Sequence, residues 1–217
     1  MRKLFDLDPY RIPSQILGKP PVDFLRISAD LPRRFSKALG IAEAQRSERP
    51  IQLFLEQFPV ALLCLVRPHT AWVFPRLALQ NALGGGFEPD FLICDWTSLG
   101  PEWTVVELES PTMQPVNARG ISAACRHAQQ QISDYRRIMV ENTERNEKDG
   151  LMVGHRQAKS WIIMGRRLQI SRANQSRLAD LRQENIEVAT YDRLLEECEA
   201  MADYRARQRK EAAKLKR

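Results

Sequence analysis

"EPDFLICDWTSLGPEWTVVELES", residues 88–110, is the stretch whose reading decides the fold. Its halves, DFLIC and EWTVVELE, are rich in β-formers and are joined by DWTSLGP, where Ser98, Gly100 and Pro101 are turn residues, so a β-hairpin is expected. If the pairing is centred between Ser98 and Leu99, Asp90 lies opposite Glu107. Glu109 then shares the face of Glu107, because side chains alternate with period two. Three carboxylates are thereby expected on one side of two otherwise apolar runs. Like charges opposite one another destabilise a sheet, so the arrangement calls for protonation, a cationic neighbour such as Arg76, or a bound metal. A register shifted by one residue would move Asp90 to the other face.

If a metal is the answer, its class follows from the donors. A site of hard carboxylates with no clustered His or Cys suits magnesium or manganese, ions that keep several waters and also bind phosphate. Such an ion polarises a phosphoryl oxygen, acidifies the attacking water and stabilises the leaving oxygen, which is the chemistry of phosphodiester hydrolysis.

Outward from the hairpin, the chain reads as a mixed α/β layer with an antiparallel front and crossover connections behind. Upstream, SERPIQLFLEQFPVALL carries a helical stripe of Ile51, Phe54, Leu55 and Phe58, with Ser47 as cap, Pro50 in the first turn and Pro59 as terminator. TAWVFPRLAL reads as a strand and NALGGGFEP as a flexible connection. Downstream, a long helix is expected from Ala118 to about Glu147, with apolar or small residues at Ile121, Ala124, Ala128, Ile132, Tyr135 and Met139. The strand SWIIMG, the helix RANQSRLADLRQEN, the strand IEVATY and a final helix from DRLLEECEAM complete the order. Residues 1–45, rich in proline, read as an arm with a short helix near Leu31 to Leu39; residues 46–200 form the main domain and 201–217 a basic helical tail.

Composition bounds the function. With 217 residues, 43% hydrophobic and 28% charged, the chain can bury one sizeable core. The longest uninterrupted apolar run, Val60 to Val66, is far short of the roughly 18 residues of a membrane span, and the acidic residues in MRKLFDLDPYR do not fit a signal peptide, so a cytoplasmic protein without membrane contact is expected. The cysteines Cys64, Cys94, Cys125 and Cys198 form no CxxC pair and fit buried free thiols. The net charge of +6 is a property of the tail: residues 205–217 hold seven Lys/Arg and one Glu. Such a tail suits phosphate contacts, and equally a solvated helix end whose cations complement the C-terminal dipole.

The order of these residues resembles a known superfamily. EPDF followed at hairpin distance by VVELES is similar to the PD-(D/E)XK nuclease core, which implies an α/β, restriction-endonuclease-like fold with a mixed central sheet of about five strands flanked by helices. The resemblance implies that Asp90 and Glu107 are metal ligands, with the carbonyl of Leu108 a further one, for Mg2+ or Mn2+. Glu109 stands where that pattern usually has Lys; some restriction endonucleases of the superfamily carry Glu there, which implies a metal-binding or water-assisting carboxylate and a strict metal dependence. QISDY resembles the Gln-h-x-x-Y element of the RecB-like branch, with Gln131 and Tyr135 on one helical face; this implies that Gln131 lies beside the metal and Tyr135 near the DNA backbone. Together with FLEQFPVALL before and VATYDRLLEE after, the series is similar to the Shedu family of bacterial antiviral nucleases over about residues 48–197. That likeness implies a homo-oligomer acting on DNA, with Glu48 as an additional acidic residue.

Other candidates are bland. His69, His127 and His155 have no nucleophile motif beside them, and GGG at 84–86 lacks the Lys-Ser or Lys-Thr of a phosphate loop. Trp96 and Trp103 flank the turn and suit packing. Arg126, Arg136 and Arg137, on the Gln131 helix, are candidate phosphate contacts or simple surface charges, as are Arg166 and Arg167. The leading expectation is a metal-dependent DNA endonuclease. Its rivals are a nuclease-fold nucleic-acid-binding module without catalysis and an assembly subunit of a defence complex.

Overall fold

Leu31, Phe35, Leu39 and Ala42 recur at helical spacing behind Pro32, and residues Leu31–Gln45 form helix α1, longer than expected, closed by Arg46 in the left-handed region at φ 50°. The computed structural model describes residues 20–23, 27–68, 70–77, 79–80, 86–98, 100–141, 158–167, 178, 181–182 and 184–214. Helix α2 (Arg49–Gln57) follows, with Pro50 in its first turn and Ser47 Oγ accepting from the Arg49 N–H at 3.1 Å. The expected stop at Pro59 is real, but the chain turns rather than leaves the helical state. Pro59 opens helix α3 (Val60–Val66), bent 97° from α2, because proline satisfies the start of a helix while breaking the ladder of the one before it.

Among the described residues nine strands follow, the five expected runs and four two-residue strands besides. They are β1 (Ala71–Pro75), β2 (Leu79–Gln80), β3 (Gly86–Phe87), β4 (Phe91–Thr97), β5 (Gly100–Leu108), β6 (Val116–Asn117), β7 (Gly120–Ile121), β8 (Lys159–Ile163) and β9 (Ile186–Ala189). Helix α4 (Ala123–Glu141) lies between β7 and β8, and helix α5 (Tyr191–Lys214) follows β9. Five strands make one mixed sheet in the order β1-β4-β5-β8-β9, antiparallel across β1, β4 and β5 and parallel across β5, β8 and β9. The expected architecture, a mixed sheet of five strands flanked by helices, is the one found.

Two expectations are corrected. The TAWVFPRLAL strand breaks at Arg76, whose φ of 48° turns the chain, and Leu79–Gln80 pairs instead with Gly86–Phe87 in a separate ribbon. The long helix begins at Ala123 rather than Ala118, because Val116–Asn117 and Gly120–Ile121 form a small hairpin whose turn needs Gly120 at φ 130°, a conformation L side chains rarely adopt. Most of the helix expected over residues 172–185, its predecessor beyond residue 141, and the arm before residue 20 lie outside the described residues.

The sheet carries a core on each face. One buries Phe91, Ile93, Val106, Leu108, Trp161 and Ile163 under α1, α2, α3 and α5, and includes the stacked pair Phe35–Phe54 with ring centroids 5.3 Å apart. The other buries Leu92, Cys94, Trp103, Val105 and Ile162 under α4. All four cysteines are free and buried. The basic C-terminal residues are no separate tail in space: α5 runs unbroken from Tyr191 to Lys214, and Arg209 Nη2 donates to the carbonyl of Ile27 at 3.1 Å. Among the described residues no single helix is long and apolar enough to cross a membrane.

Candidate active site

The hairpin register brings the carboxylates together. Thr97 pairs with Gly100 and Phe91 with Val106, so the next position sets Asp90 against Glu107, as the turn centre between Ser98 and Leu99 requires. Hydrogen bonds tie the two: Leu108 N–H donates to Asp90 Oδ2 at 2.8 Å, and Asp90 N–H to Glu107 Oε1 at 3.4 Å. Glu109 stands just past the end of β5, its N–H donating to the Ile163 carbonyl at 3.0 Å and its Oε1 4.0 Å from His127 Nδ1. Arg76, expected as a possible neutraliser, meets Asp90 through the backbone: its N–H donates to the Asp90 carbonyl at 3.1 Å while its guanidinium turns to α2.

Helix α4 covers this cluster with one stripe. Tyr135 is 3% exposed, its ring edge-on to Phe87, and its hydroxyl is hydrogen-bonded to the Glu107 carboxyl and to the Gln131 side chain one turn earlier. Tyr135, expected near the DNA backbone, is thereby bonded to Glu107. His127, dismissed on the sequence, lies one further turn back on the same stripe and is the residue beside Glu109. From the start of α2, Glu48 acts electrostatically on both Asp90 and Glu109.

The electrostatics are those of acids crowded out of water. Burial is the main cause raising Asp90 to about 6; Glu48 and Glu56 add to it, while the Leu108 N–H and Arg76 oppose. Glu107, 5% exposed, is pushed up to about 8, first by burial and then by the Asp90 charge, with the Tyr135 hydrogen bond acting the other way. Glu109 is raised by burial, and the His127 charge pulls it back. Burial and Glu107 lift the Tyr135 phenol well above its ordinary value.

These groups suit a hard cation. Among the described residues no group of three His, Cys, Asp or Glu side chains could hold a metal ion. A pair suffices for magnesium, which is bound through one or two carboxylates and otherwise keeps its waters. Asp90 and Glu107, adjacent and reluctant to ionise together, could form such a pair; a divalent charge beside them would favour the ionised form of both.

The arginines divide differently from the expectation. Arg136 is turned inward: its guanidinium donates to the carbonyls of Glu184 at 2.7 Å, Ala158 at 2.6 Å and Asn185 at 3.0 Å, and to Ser160 Oγ at 3.0 Å, so it clamps the starts of β8 and β9 instead of facing a phosphate. Arg137 pairs with Asp134 and Glu141, Arg166 with Glu43 and Asp192, and Arg167 with Glu196. Arg126 is exposed, with Nε 3.2 Å from the Ile121 carbonyl. His69, His155 and most of the GGG segment lie outside the described residues. Two residues passed unnoticed on the sequence: Tyr191, fully buried, whose hydroxyl donates to the Glu109 carbonyl at 2.7 Å, and Gln52, 2% exposed on α2. Only an aromatic at the first turn of α5 and a polar break in the α2 stripe hinted at them.

Comparison with known proteins decides the family. The family model "Shedu protein SduA, C-terminal" matches residues 45–195. The chain belongs to the Shedu family. The match covers nearly the whole stretch, about 48–197, over which the Shedu resemblance was read. Among solved structures, the chain is similar to the restriction endonuclease FokI bound to DNA at 12% identity and a TM-score of 0.42, over 79% of this chain and 27% of that one. The chain thus spans about a quarter of that structure's length. No curated protein matches it.

Proposed function

We propose that this Shedu-family chain is a metal-dependent DNA endonuclease that hydrolyses phosphodiester bonds in defence against phage. The observation that carries the reading is the pairing of Asp90 with Glu107 across β4 and β5, with Glu109 following on the same face. Membership of the Shedu family supports a nuclease-type role and a place in antiphage defence. Within that role, Asp90 and Glu107 hold a magnesium or manganese ion, aided by the Leu108 carbonyl. When bound, that ion supplies Lewis acidity to the phosphoryl group and to a water.

The chain's own residues do the rest. Tyr135 fixes the Glu107 rotamer, and Gln131 fixes Tyr135, so the order of the QISDY motif is a support for the second carboxylate. Glu109, beside His127, stands at the position that usually carries Lys and takes part in handling the water; with three acids and no lysine, cleavage depends strictly on added metal. The described basic residues of α5, Arg205 to Lys214, supply sequence-independent attraction to the phosphate backbone. The DNA-binding protein works as a homo-oligomer.

A second reading has one observation in its favour. Glu109 replaces the lysine of the usual pattern, which suits a nuclease fold that binds nucleic acid without cutting it. Incubation of supercoiled plasmid with the protein and magnesium or manganese, beside Glu107→Ala, separates the two. Metal-dependent nicking or linearisation abolished by the substitution is expected; salt-sensitive binding without cleavage would establish the binding module instead.

A further inference from the structure

On α2, Glu48, Gln52 and Glu56 follow one another at steps of four and so share one face. Glu48 and Glu56 both press electrostatically on Asp90, which places Gln52, between them, on the helix face turned toward the same cluster. Gln52 is an unusual residue for its position. It is 2% exposed in an otherwise apolar core; its Oε1 accepts from Arg76 Nη2 at 3.0 Å, and its Nε2 is buried with no hydrogen-bond partner among the described residues. A buried amide donor left unpaired is destabilising, and a bound ligand is one of the few things that explain such an orphan.

Arg76 explains why the amide points as it does. Its N–H donates to the Asp90 carbonyl, and its left-handed backbone turns the side chain away from the strand toward α2. There the guanidinium holds the Gln52 oxygen and lies 3.7 Å from Glu56 Oε1. An arginine cannot accept a hydrogen bond, so this contact fixes which end of the amide is oxygen and leaves the NH2 group as the free end.

The geometry points to Arg76 and Gln52 as a phosphate-positioning pair: Arg76 orients Gln52, and the free Gln52 amide N–H donates to a non-bridging oxygen of the phosphodiester seated beside Asp90. This rests on the nuclease reading and adds to it a neutral donor that stands between Glu48 and Glu56 along α2. A neutral donor is suited there, because it binds a phosphate oxygen without forming an ion pair with the acids that must remain available to a cation.

The test uses the full chain, a short fluorescein-labelled duplex and calcium, which takes the same oxygen ligands as magnesium with looser geometry. Gln52→Met removes the amide at similar volume, and Gln52→Glu keeps an acceptor for Arg76 while removing the NH2. Both are expected to weaken duplex binding by about tenfold, the loss of one hydrogen bond to a charged group. Gln52→Met is expected to melt no lower than wild type, since it removes an orphan donor and leaves half-exposed Arg76 to water. Variants that bind as tightly as wild type, or a melting point that falls while affinity per folded molecule is unchanged, would overturn the pair and leave the nuclease reading standing. Wild-type protein that neither binds nor cuts DNA would overturn both.

Discussion

The backbone N–H of Leu108 donates to Asp90 Oδ2 at 2.8 Å, so the strand that carries Glu107 also fixes the carboxylate opposite it. For Asp90 to swing clear of Glu107, its side chain must give up the Leu108 hydrogen bond. The repulsion is therefore built into the hairpin, and what relieves it, a proton or a cation, is the switch on which the site turns.

Stability in chelator should fall as pH rises. Glu107 is raised from an ordinary value near 4.5 to about 8, so the folded chain binds a proton that the unfolded chain has already released, and stability is lost across that window; Asp90, raised to about 6, adds to the loss at its lower end. Denaturant melts between pH 4.5 and 8 should show a decline of a few kcal/mol at most, and Glu107→Gln should flatten most of it. A wild-type curve that rises with pH would show that the acids are ionised and satisfied without metal.

Tyr191→Phe should impair the site without touching substrate. Its hydroxyl donates to the Glu109 carbonyl at 2.7 Å, and removing it deprives a partly buried acceptor of that donor, at about 1 kcal/mol. Thermal melts should register that loss, and plasmid cleavage should drop by more than the folded fraction explains because the end of β5 is freed.

Arg136→Met should behave as a core mutation. Three carbonyls at the starts of β8 and β9 lose a hydrogen bond, although the Ser160 N–H still serves that of Asn185 and the Ser160 hydroxyl that of Ala158, so a destabilisation of about 1–2 kcal/mol is expected. The salt dependence of DNA binding should stay where it is; a shallower salt slope would mean that Arg136 reaches a phosphate after all.

The hairpin, its register and the α4 stripe are legible in the sequence because each depends on local chemistry. Turn residues flanking Leu99 set the pairing, and a period-two or helical alternation fixes which side chains share a face. What is not legible arises between elements. The sequence of α2 and α3 cannot say that Pro59 bends one helix onto the next by 97°, and the two-residue strand β6 carries too little pattern to stand out from the helix expected there. Arg136 looked like a surface cation because nothing local reveals that three carbonyl ends, two of them nearly fifty residues away, converge on it. Tyr191 and Gln52 were silent for the same reason: their partners, Glu109 and Arg76, are distant in the chain.

The basic end of α5 should matter through salt. Arg207, Lys210 and Lys214 are exposed, and replacing all three by Gln should lower the slope of log affinity against log salt by roughly 0.9 for each phosphate contact removed, with little change in melting temperature. An unchanged slope would assign these cations to the helix terminus alone.

Anomalous diffraction from crystals grown with manganese at pH 8 tests the site most directly. A peak bonded to both Asp90 and Glu107, lost in Glu107→Gln crystals, is the expected result. No peak there, with the Asp90 and Glu107 hydrogen bonds undisturbed under saturating manganese, would contradict a cation-dependent active centre.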